Sequence, residues 1–245
     1  MKILKICLTY SCPFKCYFCF NRDKAEDTTL LDLNILDDFL NKNHKKFDKI
    51  IISGGEPTLV FKSYLKNVVD IVKKYTPTME METYPIVDSS FFEELHDVHP
   101  IVSYDITARS KVQEVWKQLL KMPVKFDLNV TLSPLVFRFA PNKILQTLNL
   151  LPNLNHVTFK PFFNNSNYKY PIKQSDYKKF IDVLNNSKLN LHYGYSYTDF
   201  HDEFILNPYG KLLSVQFEND MRIEKEISDK EILQSETNYP ESVRL

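Results

Sequence analysis

Apolar residues recur along this chain in two rhythms that take turns. Runs at 2–9, 47–53, 79–84, 101–107, 124–132 and 156–162 read as strands. The stretches between them, 31–42, 63–74, 89–97, 111–120 and 142–150, read as helices. Asp32 and Ser63 are placed to cap two of these helices, and Pro141 with Asn142 opens the fifth. Strand and helix alternating in units of this size predict a parallel sheet with crossover helices. Six such units without closure predict an α/β fold, a partial (β/α)6 barrel of the TIM type.

The strands are not continuously apolar, as parallel strands covered on both faces would be. Ser103, Asp105 and Thr107 alternate with Val102, Tyr104 and Ile106. Lys125, Asp127, Asn129 and Thr131 alternate with Val124, Phe126, Leu128 and Val130. His156, Thr158 and Lys160 oppose Val157 and Phe159, and Glu80 and Glu82 share a face. In a barrel the apolar face must meet the helices, so the polar face lines the lumen. A half-exposed antiparallel sheet would alternate too, but the long helical connections argue against hairpins. Glu82, His156, Lys160, Tyr193 and Tyr195 are candidate substrate contacts, and Glu82 and Lys160 are also candidates for catalysis.

The pattern changes after Phe163. A polar loop at 164–170 precedes a helix at 177–184, a Tyr-rich run at 189–197 and a hairpin at 204–213 that turns at Pro208 and Gly210. The tail at 236–245 is polar and expected to fray. The chain thus divides into a barrel core at 1–163 and an extension at 164–245 that completes and covers it, with the substrate expected to meet the extension.

Cys12, Cys16 and Cys19 fall within the eight residues Cys12-Pro13-Phe14-Lys15-Cys16-Tyr17-Phe18-Cys19. That spacing wraps a short loop around one inorganic centre, and soft thiolates suit zinc or an iron–sulfur cluster. A 4Fe–4S cluster usually takes four cysteines, so three would leave one iron open. A structural zinc site completed by His44 is the plainer alternative. The remaining cysteine, Cys7, sits on the first strand one residue pair below Thr9, too deep to reach the same centre easily. It reads as a spare: a buried thiol, or a hydrogen-atom donor to a product radical.

The CxxxCxxC loop closing an N-terminal strand, with an aromatic before its third cysteine, resembles the signature of radical S-adenosylmethionine (SAM) enzymes. Ile50-Ile51-Ile52-Ser53-Gly54-Gly55-Glu56-Pro57-Thr58-Leu59 resembles that family's GGEP motif at the end of the second strand. The resemblance covers 2–163. It implies a 4Fe–4S cluster on Cys12, Cys16 and Cys19, with SAM chelating the fourth iron. It also implies reductive cleavage of SAM to methionine and a 5′-deoxyadenosyl radical, which takes hydrogen from a small-molecule, nucleotide or peptide substrate. The implied SAM contacts are Gly54, Gly55 and Glu56 for the amino group, and Ser103, Asp105 and Arg109 for ribose and carboxylate. Asn129 and Thr131 are implied for ribose or adenine, and Phe18 near adenine. An electron donor such as a flavodoxin or ferredoxin is implied as a partner.

The hairpin segment resembles the C-terminal extension of SPASM and twitch proteins, where a Pro–Gly turn precedes auxiliary-cluster cysteines. Ser214 to Phe217 stand there instead, which implies no auxiliary cluster. Two narrower resemblances compete. Cys16-Tyr17-Phe18-Cys19-Phe20-Asn21 is similar to the CxYCHN-like run of glycyl-radical activating enzymes, with Phe20 in place of the usual His. The 7-carboxy-7-deazaguanine synthases match in size, but Phe20-Asn21 stands where they carry a Thr or Ser that helps hold Mg.

Composition narrows the partners further. Lys+Arg and Asp+Glu are 31 each, so no global field draws nucleic acid or an anionic membrane. No apolar run approaches the ~18 residues of a membrane span. Met1-Lys2 leads straight into a strand, with no signal peptide visible. Three clustered cysteines and one single do not make a disulfide framework, so a reducing cytoplasm is expected.

Overall fold

Asp32 begins the first helix as the sequence predicts: its carboxylate accepts from the backbone N–H of Asn34 at 2.7 Å and of Ile35 at 3.2 Å. This computed structural model of the chain describes residues 1–14, 16, 19–84, 91–104, 112–133, 136–161, 174–197, 202–218 and 221–239. The order of elements is β1 (Lys2–Cys7), α1 (Leu33–Asn43), β2 (Lys49–Ser53), α2 (Lys62–Lys73), β3 (Met79–Thr83), α3 (Phe91–Glu94), β4 (Val98–Tyr104) and α4 (Val112–Leu120). Then come β5 (Phe126–Leu132), α5 (Pro141–Leu148), β6 (Leu154–Pro161), α6 (Gln174–Asn185), β7 (Gly194–Tyr197), β8 (Asp202–Leu206), β9 (Leu212–Glu218) and β10 (Met221–Glu226). Ser63 does not cap α2. The helix starts one residue earlier, with Phe61 at the cap position and no side-chain cap bond.

The strands form one sheet in the order β10-β9-β8-β1-β2-β3-β4-β5-β6-β7. The parallel set is longer than the six units expected. β7 adds beyond β6, and β8 pairs parallel with the other edge of β1, Lys2 to Ile6 against Asp202 to Leu206. The expected hairpin is β8–β9, and its turn follows the predicted chemistry. Gly210 N–H donates to the Asn207 carbonyl at 2.9 Å, and Gly210 has φ 76°. β10 continues the meander antiparallel to β9.

The sheet is curled. Lys160 on β6 lies 3.4 Å from Glu82 on β3, and Glu82 lies 2.9 Å from Lys5 on β1. In a flat sheet β1 and β6 would stand about 24 Å apart, so charges from both can share one carboxylate only across a concave face. Helices cover the convex face. Leu4, Ile6, Leu8, Ile50, Ile52, Met81, Val102, Leu128, Val130 and Phe159 are buried there with the helix residues Leu36, Leu40, Leu65, Val68 and Leu145. The alternation read from sequence is therefore a partial barrel with an apolar outer layer and a polar inner one.

Two substrate candidates belong to the outer layer. Tyr193 donates its hydroxyl to the Leu145 carbonyl at 3.0 Å, and Tyr195 to the Leu184 carbonyl at 2.9 Å. Tyr195 stands in register with Val157, so it shares the apolar side and pins β7 to the helices. Neither reaches the lumen. Among the described residues, no helix is long and apolar enough to cross a membrane.

Candidate active site

β1 and β2 end side by side, and their exits are joined by backbone. Leu8 N–H donates to Ser53 O at 3.0 Å, Gly55 N–H to Thr9 O at 2.7 Å, and Glu56 N–H to Ser11 O at 2.9 Å. The glycines make this approach possible. A Cβ on Gly55 would stand 2.3 Å from the carbonyl oxygens of both Tyr10 and Ser11. Gly54 has φ 155°, and a Cβ there would stand 2.8 Å from Thr9 O. Their freedom serves first to join the Gly-Gly turn to the start of the cysteine loop.

Glu56 secures the third wall. Its Oε1 accepts from Thr58 N at 3.1 Å, Thr58 Oγ1 at 2.6 Å and Thr83 Oγ1 at 2.6 Å, and its Oε2 from Tyr84 N at 2.7 Å. Burial raises the carboxyl pKa, while these bonds favour the charged form. Phe14 of the cysteine loop packs edge-on against Tyr84, with ring centroids 4.5 Å apart. The loop, the Gly-Gly turn and the end of β3 thus form one rigid rim.

Inside the rim lies a cavity of about 210 Å³ whose wall includes Cys12, Cys16, Cys19, Gly54, Gly55 and Ser103. Cys7 is in the same wall. Its thiol donates to Thr9 O at 3.5 Å. Burial pushes Cys7 and Cys12 each up to about 12. Among the described residues, no three His, Cys, Asp or Glu side chains converge as a single metal ion requires. A cluster makes a different demand, because its irons present separate corners to separate thiolates. Three soft donors around one cavity fit such a cluster.

The floor is a charge network. Lys5 bridges Glu82 at 2.9 Å and Glu203 at 3.4 Å. Lys160 adds to Glu82, and Arg222 of β10 binds Glu203 at 2.6 Å. Burial raises the Glu82 carboxyl pKa, but Lys5 and then Lys160 overcome it and hold Glu82 well below the usual range. Burial likewise opposes Glu203, and Arg222 then Lys5 hold it low. Burial dominates at Lys160 and lowers its pKa, with Glu82 opposing.

The expected site residues separate into three groups. Ser103 lines the cavity, and Asn129 is in register with Ser103 and sends Nδ2 to Glu82 at 3.5 Å. Thr131 is in register with Lys160 further along β5. His156 bonds Ser196 of β7 at 2.8 Å on the inner face, away from the cysteines. Phe18, Asp105 and Arg109, and the loop at 164–170, lie outside the described residues. Sequence reasoning missed Lys5, Glu203, Arg222 and Glu224. Lys5 carried a signal, a lone charge in the apolar run Ile3-Leu4-Lys5-Ile6-Cys7. Glu203 stands on β8, whose place beside β1 has no local signature, and Arg222 and Glu224 stand on β10, which reaches the site only through β9 and β8.

A family model described as a 4Fe–4S single cluster domain matches residues 5–117. A protein of Methanocaldococcus jannaschii, provisionally named a glycyl-radical enzyme activating enzyme, is 47% identical over 53 residues, 21% of this chain and 20% of that one. Among solved structures, SuiB of Streptococcus suis bound to S-adenosylmethionine matches with TM-score 0.70 at 13% identity, over 86% of this chain and 59% of that one. A SuiB structure with its precursor peptide SuiA matches with TM-score 0.66 at 15% identity, over 86% and 58%. The structure of anSMEcpe with AdoMet and the Cp18Cys peptide matches with TM-score 0.62 at 16% identity, over 86% and 73%. The chain therefore spans a fifth of the Methanocaldococcus relative and about three-fifths of SuiB. Residues 5–117 thus match a 4Fe–4S single cluster domain and the fold is shared with SuiB and anSMEcpe, in line with the resemblance carried by the paired CxxxCxxC and GGEP motifs.

Proposed function

We propose that this chain binds one 4Fe–4S cluster through Cys12, Cys16 and Cys19, holds SAM in the adjoining cavity, and abstracts hydrogen from a substrate lodged over the polar lumen. The observation that carries this reading is the common wall: the three cysteines, the Gly54-Gly55 turn and Ser103 all line one cavity. When bound, cluster and SAM supply reductive cleavage of the sulfonium and a 5′-deoxyadenosyl radical.

The protein's share is position, charge and exclusion of water. The Cys12 thiol is pushed up to about 12 by burial, so iron has to displace its proton, and loading favours higher pH. The Gly54-Gly55 backbone offers close approach at the rim, and the Glu56 carboxylate ties the chain after it to the end of β3. Ser103 and Asn129 supply hydrogen-bonding groups on the β4–β5 side, and the resemblance adds Asp105, Arg109, Thr131 and Phe18 as contacts for ribose, carboxylate and adenine. Lys5, Glu82, Lys160 and Glu203 give the lumen fixed charges to orient a polar substrate. Cys7 stays a thiol beside the cluster cysteines.

A small molecule, nucleotide or peptide fits this frame, with an electron delivered by a flavodoxin or ferredoxin in a reducing cytoplasm. A second reading is favoured by the 53-residue match: the substrate would be the backbone of a partner enzyme. Anaerobic reconstitution tests the centre. About four irons and four sulfides per chain, with a brown charge-transfer spectrum, are expected. A colourless protein holding one zinc would overturn the reading.

A further inference from the structure

β8 and β9 pair over only part of their length. Phe204, Ile205 and Leu206 stand opposite Ser214, Leu213 and Leu212. The same register would next set Glu203 against Val215, and there the pairing stops. The Thr237 hydroxyl occupies that rung. It accepts from Glu203 N–H at 3.3 Å and donates to the Val215 carbonyl at 3.1 Å. Asn238 follows along β9. Its Oδ1 accepts from Phe217 N–H and its Nδ2 donates to the Phe217 carbonyl, each at 3.0 Å. A side-chain amide thus takes the place of a partner strand. Thr237 N–H also donates to Asp202 Oδ1 at 2.8 Å, and the Glu236 carbonyl accepts from Gln216 Nε2 at 3.0 Å. The segment at 236–239, expected from sequence to fray, is a wedge between two strands.

The wedge stands beside the reaction cavity. Glu203 holds Lys5 and Arg222 in the cavity wall, and Phe217 pairs with Arg222 across β9 and β10. The Arg222–Glu203 bond of 2.6 Å spans the same split. Tyr239 packs 5.1 Å from the Phe217 ring, against the apolar cluster that includes Cys7 and Ile205 of the wall. Two bonds through a hydroxyl replace one direct bond of ~2.9 Å, so β9 and β10 stand further from β8 than a closed ladder would allow. The Arg222 guanidinium is set back with them. Such spacing matters for a reaction, because a displacement of about 1 Å in a positioning group can cost ~10²-fold in rate.

We propose that Thr237 and Asn238 are positioning residues of the reaction cavity, acting through Glu203 and Arg222 to fix how far β10 stands from β8. This rests on the radical SAM reading of the same cavity and adds the residues that shape its wall.

The test uses the reconstituted holoprotein and two readouts. Hydrogen–deuterium exchange is followed over 202–206 and 221–226, and release of 5′-deoxyadenosine is followed after reduction with SAM. Thr237→Val keeps the side-chain shape and removes the hydroxyl, whereas Thr237→Ser keeps the hydroxyl. In Thr237→Val, exchange about tenfold faster over both segments is expected, with release about tenfold slower. Thr237→Ser is expected to restore both, and iron per chain to match the parent in each variant. In an Arg222→Met background, Thr237→Val is expected to slow release by less than about twofold more, because the two act on one element. Asn238→Asp keeps the acceptor and loses the donor, and is expected to speed exchange over 221–226 even if Thr237→Val does not fold. Unchanged exchange over 221–226 in Thr237→Val and Asn238→Asp would overturn the proposal. So would rate losses that multiply in full between Thr237→Val and Arg222→Met, which would leave the segment a structural tie alone. A parent protein that cleaves no SAM would remove the reaction, and the exchange pattern would still decide whether the wedge sets the wall.

Discussion

Lys5 of β1 lies 2.9 Å from Glu82 and 3.4 Å from Glu203, joining a residue of β3 to one of β8 across the two strands between them. The first strand is the hinge of the whole chain: its end leads into the cysteine loop, and its middle carries the cation that neutralises the lumen floor.

Lys5→Met should cost about 3 kcal/mol, because it leaves two buried carboxylates without their shared cation. The pH dependence gives the sign. Glu82 and Glu203 are held below the usual carboxylate range, so their stabilisation is present above the unfolded value near ~4.3 and is lost as pH falls through their folded values. Denaturant unfolding from pH 7 down to pH 3 should show a shallower loss in the variant than in the parent. An acid limb of unchanged slope would remove Lys5 from that role.

Gly55→Ala should cost about 3 kcal/mol, since the new methyl would meet two backbone carbonyls at 2.3 Å that no rotamer change can move. The damage should reach the loop, seen as reduced iron per chain after reconstitution. Normal iron and normal melting would show that the rim yields more than its hydrogen bonds imply.

Glu56→Gln should lower stability by roughly 2 kcal/mol, because the amide cannot accept at both positions now filled by Thr58, Thr83 and Tyr84. Thermal melting of the metal-free protein reads this directly, free of cofactor effects.

Cys16→Ala should abolish cluster assembly, whereas Cys7→Ala should retain about four irons per chain. Both thiols line one cavity, so only the assay separates ligand from spare. Loss of the cluster in Cys7→Ala would make Cys7 a ligand.

Much of this was legible in the chain. The cysteine spacing, the Gly-Gly turn and the alternation in β3 to β6 are local patterns, and each marked its element within a few residues. What stayed hidden is pairing. Phe204-Ile205-Leu206 reads as one arm of a hairpin, with Asp202-Glu203 just before it, and only its hairpin partner is nearby in sequence. Its parallel partner β1 lies about two hundred residues earlier, and nothing local announces such a contact. Glu203 and Arg222 therefore entered the floor unseen. Tyr193 and Tyr195 failed for the opposite reason. Their composition suggested a polar face, but a tyrosine can be buried along its ring with only the hydroxyl satisfied, as both are by helix carbonyls.

The cavity reading stands or falls on what happens to SAM. The reconstituted protein should be reduced with dithionite in the presence of SAM and its products separated. Methionine and 5′-deoxyadenosine in equal amounts, formed by the parent protein and not by Cys16→Ala, are the expected result. Methylthioadenosine as the main product, or no cleavage by a protein carrying its full complement of iron, would contradict it.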